Sequence, residues 1–449
     1  MGSALFTAVT GLQSFQRKLD VIANNIANVS TVGFRGSRVM FGDLFSQTLS
    51  GASAPDGSFG GTNPAQVGLG VGIGSIDIDT GQGSLTTTGI SSDLAVDGAG
   101  LFIMRGSEGN TFTRDGSFSL NSEGLLIDPS TGLYVQGWLA GEDGTINTEG
   151  MITDLLIPLG GASIVMETTT SELVGNLDAE ASIGDPLADP PIEPDTVTRT
   201  IRAYDSLGIE REIELTFTKI EQVDDGGTLY NAWAWDATLD GNSVLNFGTT
   251  GGTRGVLLFD EDGALVQSGF DDGAGTFVGS LGVGEPNISV TTVTGESLPE
   301  LPFEFTLDIN GVTSLGGTSD LTNTSQDGFP LGVLEDYSIG ATGIIYGVYT
   351  NGLTREIGQV ALANFANVAG LERIGNNQYR ISASSGEAQI GEAGNGGRGL
   401  IAGGTLEGSN VDLGTEFSNM IITQRGFQAN ARTITTADAL LQETVNLVR

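Results

Sequence analysis

Both ends of the chain carry apolar side chains seven residues apart, and this repeat limits most strongly how the chain can fold. Near the N-terminus two such rows lie three residues apart and hold Leu5, Leu12, Leu19 and Ile26, and Ala8, Phe15, Ile22 and Val29. Near the C-terminus the main row holds Leu413, Met420, Phe427, Ile434, Leu441 and Val448, with Phe417, Ala431 and Val445 beside it. Spacings of three and four residues predict two helices, each with a narrow apolar face that is typical of a coiled coil.

The sequence between these helices has the pattern of β structure. Short apolar runs alternate with Asp-Gly, Glu-Gly and Thr-Gly pairs, which are typical of hairpin turns. We therefore predict an α + β multidomain protein, whose N- and C-terminal helices form a coiled coil and enclose two nested, mainly antiparallel β domains. The predicted boundaries are terminal helices at 1–30 and 408–449, an extended linker at 31–66, a middle β domain at 67–160 and 331–407, and an inserted outer β domain at 161–330.

The net charge of −37 is distributed unevenly along the chain. Residues 1–40 carry a balance of +3 and residues 405–449 a balance of −2, so nearly all of the negative charge lies between the predicted helices. We interpret this acidic region as a soluble surface on which copies of the chain repel one another. Binding to nucleic acid is not expected, because a phosphate backbone requires a basic face.

The composition argues against an enzyme. The chain has no cysteine and no histidine, which excludes thiol nucleophiles, histidine bases and nearly every type of zinc site. The acidic stretches at 259–263 and 271–273 lack the EF-hand spacing and are predicted to be turns. Trp233 and Trp235 alternate along one predicted strand, which favours a place in a β-domain core. We predict no catalytic, metal-binding or cofactor-binding residues, and no membrane insertion, since no run of 18 apolar residues occurs.

Long stretches at both ends resemble the flagellar rod–hook–axial protein family. These stretches are LDVIANNIANVSTVGFRGSR at 19–38 and the sequence from Ser409 to Arg449. Two further stretches, LAVDGAGLFIMR at 94–105 and ALANFANVAGLERIGNNQY at 361–379, resemble the β domain that the family shares. The sequences at 168–181 and 202–217 resemble the start of the outer domain of its hook-forming members.

The resemblance implies a structural subunit that assembles into a curved helical tube and transmits torque from rod to filament as a universal joint. It implies an extracellular place in the flagellar hook, and export by the flagellar type III apparatus without a cleavable signal peptide. The implied partners are further copies of the chain, the distal rod protein, the hook cap, the hook–filament junction protein and the export gate. The apolar rows would then form the seam between subunits.

The segment from Phe41 to Phe45 resembles the short Phe-x-x-x-hydrophobic element with which early flagellar substrates engage the export gate. The same two aromatic side chains could instead attach the linker to the middle domain. The sequence leaves these two interpretations open.

Two other functions remain as alternatives at this point. One is a distal-rod-type axial protein with an enlarged outer domain, which would form straight and rigid polymers. The other, from a different class, is a secreted oligomeric β-rich binding protein, which would form discrete oligomers and bind a ligand.

Overall fold

A computed structural model describes residues 2–55, 60–106, 109–141, 143–161, 163–185, 187–188, 190–225, 228–239, 242–243, 254–271, 277–280, 287–290 and 303–447. The chain divides into two compact units. Unit 1 comprises Met1–Pro158, Asp336–Gly347 and Thr354–Arg449, and unit 2 comprises Leu159–Glu335 and Val348–Leu353. The sequence assigned 159–160 and 331–335 to the middle domain, although they lie in unit 2, and it also assigned 348–353 there. This segment belongs to unit 2 because Thr350 exchanges two hydrogen bonds with the Val333 backbone, at 2.9 and 3.0 Å.

Unit 1 contains both terminal helices, α1 (Gly2–Ala27) and α2 (Leu413–Leu447). Each is shorter than predicted. The chain leaves α1 at Asn28, whose side-chain amide donates to the Asn24 carbonyl at 2.9 Å. The Asp412 carboxylate accepts the Thr415 backbone N–H at 2.9 Å, so Asp412 caps the start of α2, and residues 408–412 precede the helix. Neither described helix is long and apolar enough to cross a membrane.

The strands before unit 2 are β1 (Ser37–Asp43), β2 (Ser46–Ser50), β3 (Ala65–Gly68), β4 (Val71–Ile78), β5 (Leu85–Thr87), β6 (Leu94–Asp97), β7 (Leu101–Gly106), β8 (Gly109–Thr113), β9 (Ser119–Leu120), β10 (Leu126–Ile127), β11 (Tyr134–Leu139) and β12 (Thr153–Asp154). Those of unit 2 are β13 (Ser163–Met166), β14 (Thr170–Asn176), β15 (Thr196–Tyr204), β16 (Glu210–Lys219), β17 (Val223–Asp225), β18 (Thr228–Leu239), β19 (Asn242–Ser243), β20 (Arg254–Phe259), β21 (Leu265–Asp271), β22 (Phe277–Ser280), β23 (Asn287–Val290), β24 (Phe303–Thr313) and β25 (Asp320–Gln326). Two strands, β26 (Phe329–Ile339) and β27 (Ile344–Tyr349), cross the boundaries between the units. Unit 1 ends with β28 (Thr354–Val360), β29 (Leu362–Asn364), β30 (Glu372–Gly375), β31 (Gln378–Arg380), β32 (Gln389–Gly391), β33 (Leu400–Gly403) and β34 (Thr405–Glu407).

The body of unit 1 is an antiparallel sheet in which strands from before and after unit 2 are neighbours. Strand β11 pairs with β7 and β28, and β8 pairs with β7 and β31. Its core includes Phe112 and Phe365, whose rings meet edge to face with centroids 4.8 Å apart, beside the buried Trp138. Two short antiparallel ribbons, β6–β33 and β5–β34, attach the segment that precedes α2 to this body.

The described part of the segment at 31–66, which was predicted to be an extended linker, forms buried structure and paired strands. Residues 33–36 are buried in unit 1, and the chain after them forms the antiparallel ribbons β1–β4 and β2–β3. Gly33 adopts a left-handed conformation (φ 65°), and a side chain there would meet the backbone of Asp115 at 2.6 Å. Composition suggested a linker because glycine and small polar residues are frequent, but at Gly33 and Gly61 the glycine allows close backbone packing.

Most of the described strands of unit 2 belong to two sheets that share one apolar core. One sheet has the order β15-β16-β18-β20-β21-β22 and the other β23-β24-β14-β25. Trp233 and Trp235 are buried in the core between them, as predicted. The predicted hairpin at residues 206–208 is present, since β15 and β16 pair up to the turn at Gly208 (φ 74°). Among the described strand pairs of unit 2, β14 with β24 is parallel.

The predicted α + β class is confirmed in its main features, since terminal helices flank a mostly antiparallel β structure. The acidic stretch at 259–263 is a turn, in which the Asp260 carboxylate accepts the backbone N–H groups of Asp262 and Ala264. The second acidic stretch, at 271–273, lies largely outside the described residues.

Candidate assembly surface

Helices α1 and α2 lie side by side and run in opposite directions. Phe15 lies against Gly426, where an added methyl group would be 2.8 Å from the ring. Gly11 lies against Asn430, whose side-chain nitrogen would be 2.4 Å from such a methyl group. These contacts bring later residues of α2 next to earlier residues of α1, which defines an antiparallel pair.

The predicted apolar rows of α1 face inward. Ala8 and Ile22 are buried, and the remaining predicted positions are half-buried: Leu5, Leu12, Phe15, Leu19, Ile26 and Val29. Val29 lies in the turn that follows α1 and not in the helix. Part of this face packs on the β1–β4 ribbon, where Phe15 meets the Phe41 ring edge-on with centroids 5.6 Å apart.

On α2 the contacts to α1 involve Glu416, Gly426 and Asn430, which lie beside the predicted apolar row. They belong to a neighbouring set of small and polar residues spaced three, four or seven apart, which we call the inner stripe: Glu416, Asn419, Thr423, Gly426, Asn430 and Ala437. Thr423 is fully buried and the other five are half-buried. A small residue such as Gly426 lets the two helices approach closely at this contact.

The predicted apolar row of α2 is therefore partly exposed in the single chain. Met420, Phe427, Ala431 and Ile434 are half-buried, whereas Leu413, Phe417, Leu441 and Val445 are exposed, and Val448 lies outside the described residues. The exposed fractions of Phe417 and Val445 are 50% and 64%. Ile421, Ile422 and Leu440 add further exposed apolar surface to the helix. Large exposed apolar patches are typical of sites of protein interaction, which makes α2 the candidate assembly surface.

A buried ion cluster attaches the chain segments next to both helices to the body of unit 1. The Glu407 carboxylate accepts from Arg114 Nε at 2.5 Å and pairs with Arg35 at 2.9 Å. Burial lowers the pKa of Arg35, and the charge of Glu407 opposes that shift. The Glu407 backbone carbonyl also accepts the Gly33 N–H at 2.7 Å. The segment that follows α1 and the segment that precedes α2 therefore share one anchor.

The two residues of the possible export element lie in different surroundings. Phe41 is in β1, where it contacts Phe15 and lies 5.6 Å below the Lys18 ammonium. Phe45 follows β1 and is 83% exposed. Phe41 thus has a packing role on α1, and Phe45 is available to a partner.

Four family models match the chain. The model described as "Flagella basal body rod protein" matches residues 5–35, and "Flagellar hook protein FlgE/F/G D1 domain" matches 95–172. The model "Flagellar basal body protein FlaE D2 domain" matches 176–329, and "Flagellar basal body rod FlgEFG protein C-terminal" matches 402–447.

Individual relatives match over the whole length. The chain is 37% identical to "Flagellar hook protein FlgE" of Treponema pallidum, with 100% of both chains covered. The chain belongs to the flagellar hook protein family. It is also 33% identical to the Escherichia coli hook protein FlgE, over 99% of this chain and 100% of that one. A crystal structure of Helicobacter pylori flagellar hook protein FlgE2 gives a TM-score of 0.47 at 13% identity, covering 70% of this chain and 98% of that chain.

Membership of the hook protein family confirms the resemblance inferred from the terminal sequences. The matched relatives are structural proteins, and none of the matched family models describes an enzyme. The polar residues at the helix contact were missed by sequence reasoning, although their spacing was visible. Larger apolar residues in the adjacent row gave a stronger helical signal.

Proposed function

We propose that this chain is the structural subunit of a bacterial flagellar hook, assembling into a curved helical tube that acts as a universal joint between rod and filament. One observation carries the proposal: a chain that matches a hook protein over 100% of both sequences leaves apolar side chains of its C-terminal helix exposed. Burying such side chains stabilises an assembly by about 25 cal/mol per Å² of apolar surface removed from water.

In the proposed tube, the helix pairs of many copies pack as a coiled coil around a central channel. The predicted seam residues of α2 that the single chain leaves exposed form contacts between subunits there. Residues 67–160 and 331–407 form the middle of the wall, and the inserted domain at 161–330 lies outermost. The acidic charge of that domain favours surfaces that slide past one another, which a bending tube requires.

The proposed route to the tube is export through the flagellar type III apparatus without cleavage of a signal peptide. The export element would be Phe41 and Phe45. The proposed partners besides further copies are the distal rod protein, the hook cap, the hook–filament junction protein and the export gate. The proposed location is extracellular, in the hook.

Electron microscopy of the purified protein under polymerising conditions tests this function. Curved, open-ended tubes are expected. Straight and rigid tubes would favour a distal-rod-type protein, and discrete oligomers that bind a ligand would favour a secreted binding protein.

A further inference from the structure

Asn25 occupies a buried position at the point where α1, α2 and β1 meet. Its side chain is 3% exposed, although it is polar and lies near the end of α1. The Asn25 amide nitrogen donates to the Ser37 carbonyl at 2.8 Å, and its oxygen accepts the Ser37 N–H at 3.0 Å. These two bonds hold the end of α1 against the beginning of β1.

The same amide also contacts the other helix. Asn25 Nδ2 is 3.3 Å from Glu416 Oε1, in the first turn of α2. The second carboxylate oxygen, Glu416 Oε2, is buried and has no hydrogen-bond partner among the described residues. Leaving a charged acceptor partly unpaired costs free energy, so this contact is a poor source of stability.

The apolar pattern of the helices does not define how far they are shifted relative to one another. The main apolar row of α2 repeats every seven residues, so sliding α2 by seven residues replaces each large residue of that row by another, although Gln424 and Asp438 interrupt the row beside it. Such a slip moves α2 by about 10 Å along its axis. Where many identical helices are close together, pairing with the wrong register or the wrong copy must be disfavoured.

Glu416 distinguishes the correct register from the slipped ones. The positions at multiples of seven from it on the inner stripe are Thr423, Asn430 and Ala437, and none carries a carboxylate. A slip would therefore bring Thr423 opposite the Asn25 amide and leave Glu416 without that donor. A single buried polar contact that sets register at a cost in stability is well documented in coiled coils.

We propose that the hydrogen bond between Asn25 and Glu416 sets the register of the two terminal helices. The bonds from Asn25 to Ser37 connect this register to the body of unit 1. The inference concerns pairing within one chain and stands independently of tube formation. Asn25 and Glu416 are positioning residues in this scheme.

Spin labels can measure the register directly, because the chain has no cysteine and labels attach only at introduced sites. Gln16→Cys on α1 and Gln442→Cys on α2 are exposed positions well separated along the helix axis. A slip by seven residues shifts the distance between these labels by about 10 Å. The doubly labelled chain is measured free and after polymerisation with an excess of unlabelled chain.

The parent chain should give one distance. Asn25→Leu and Glu416→Leu should each add a second population displaced by about 10 Å, whereas Glu416→Gln, which keeps an acceptor for Asn25, should restore the single distance. Asn24→Leu and Glu443→Leu, at exposed positions on the same helices, should behave as the parent. Glu416→Leu should leave the melting temperature unchanged or raised, because it removes a partly unpaired buried carboxylate.

Glu416→Leu also provides the test if Asn25→Leu fails to fold. An unchanged single distance in Glu416→Leu would overturn the proposal and would indicate that the packing of Phe15 on Gly426 sets the register. The absence of a single distance from the parent chain in both samples would overturn it as well. Failure of the parent to form tubes would instead contradict the proposed function.

Discussion

Lys219 is one of two lysines in the chain, and it is buried in unit 2 with 4% of its surface exposed. Its ammonium lies 5.3 Å from the centre of the Trp233 ring and has no hydrogen-bond partner among the described residues. Burial lowers its pKa from the ordinary value of 10.5, and the charge of Asp178 opposes that shift. A buried cation with so few partners destabilises the fold that contains it.

Replacing Lys219 by methionine should therefore stabilise unit 2. We expect Lys219→Met to raise the free energy of unfolding by about 1–3 kcal/mol at neutral pH. The unfolded chain binds the lysine proton more tightly than the folded chain. The charged lysine therefore destabilises the fold fully below the pKa of the folded state, and this destabilisation disappears as pH rises through 10.5. Urea unfolding between neutral and alkaline pH, followed by tryptophan fluorescence, measures both effects. A difference between the two proteins that does not depend on pH would contradict the explanation.

Glu407 differs from Lys219, because its buried charge is paired with two arginines. Glu407→Gln would leave Arg35 and Arg114 buried without their common counter-charge. We expect the free energy of unfolding of unit 1 to fall by about 3–5 kcal/mol. Calorimetry of this variant beside the exposed control Glu387→Gln checks the prediction, and equal melting temperatures for the two variants would refute it.

At the scale of elements, α2 presents two faces with different roles. The inner stripe contacts α1, and the partly exposed apolar row beside it is available to other copies of the chain. The row was expected to pack against a terminal helix of the same chain or of another copy. Partial exposure in the single chain is consistent with contacts that form on assembly.

A charge placed on the exposed row should block assembly and leave the single chain folded. Leu441→Asp changes an exposed side chain, so we expect a change in unfolding free energy within about 0.5 kcal/mol. In a tube the same carboxylate would be buried without a partner, which is strongly unfavourable. Sedimentation and electron microscopy should show folded protein without tubes. Thr436→Asp, exposed on the other side of α2, serves as the control and should assemble normally.

The exposed Phe45 allows the export interpretation to be tested without disturbing packing. Phe45→Ala should leave stability unchanged and reduce export severalfold in cells in which assembly is blocked. Phe41→Ala should lower stability as well, because Phe41 packs on Phe15. Normal export of Phe45→Ala would favour a purely structural role for this segment.

At the scale of the whole molecule, charge is concentrated in unit 2. Unit 2 contains 30 acidic and five basic residues, a net charge of −25 out of −37 for the chain. Copies brought together at low ionic strength repel one another through this surface. At an ionic strength of 0.1 M the screening length is about 10 Å, so salt should weaken that repulsion.

Assembly should therefore depend on salt through unit 2. We expect the critical concentration for tube formation to fall severalfold as sodium chloride rises from about 0.02 to 0.2 M. Deleting residues 165–328 should remove most of this dependence, because it removes most of the negative charge. Light scattering across a salt series measures both proteins. Equal salt dependence in the two would show that the repulsion arises elsewhere.

The sequence alone determined the terminal helices, the β character of the middle, the turns at 206–208 and 259–263, and the buried tryptophans. Each of these follows from local periodicity or turn chemistry, so neighbouring residues suffice to predict it. The family was also recognisable, since its terminal motifs are long.

Only the tertiary structure decided which face of α2 meets α1, and which residues anchor the helices. Asn25 with Glu416, and Arg35 with Arg114 and Glu407, are brought together from opposite ends of the chain. Such contacts have no periodic signature, because they depend on how distant segments pack. Heptad spacing likewise predicts that a helix has an apolar face, but it does not specify the helix, the register or the copy against which that face packs.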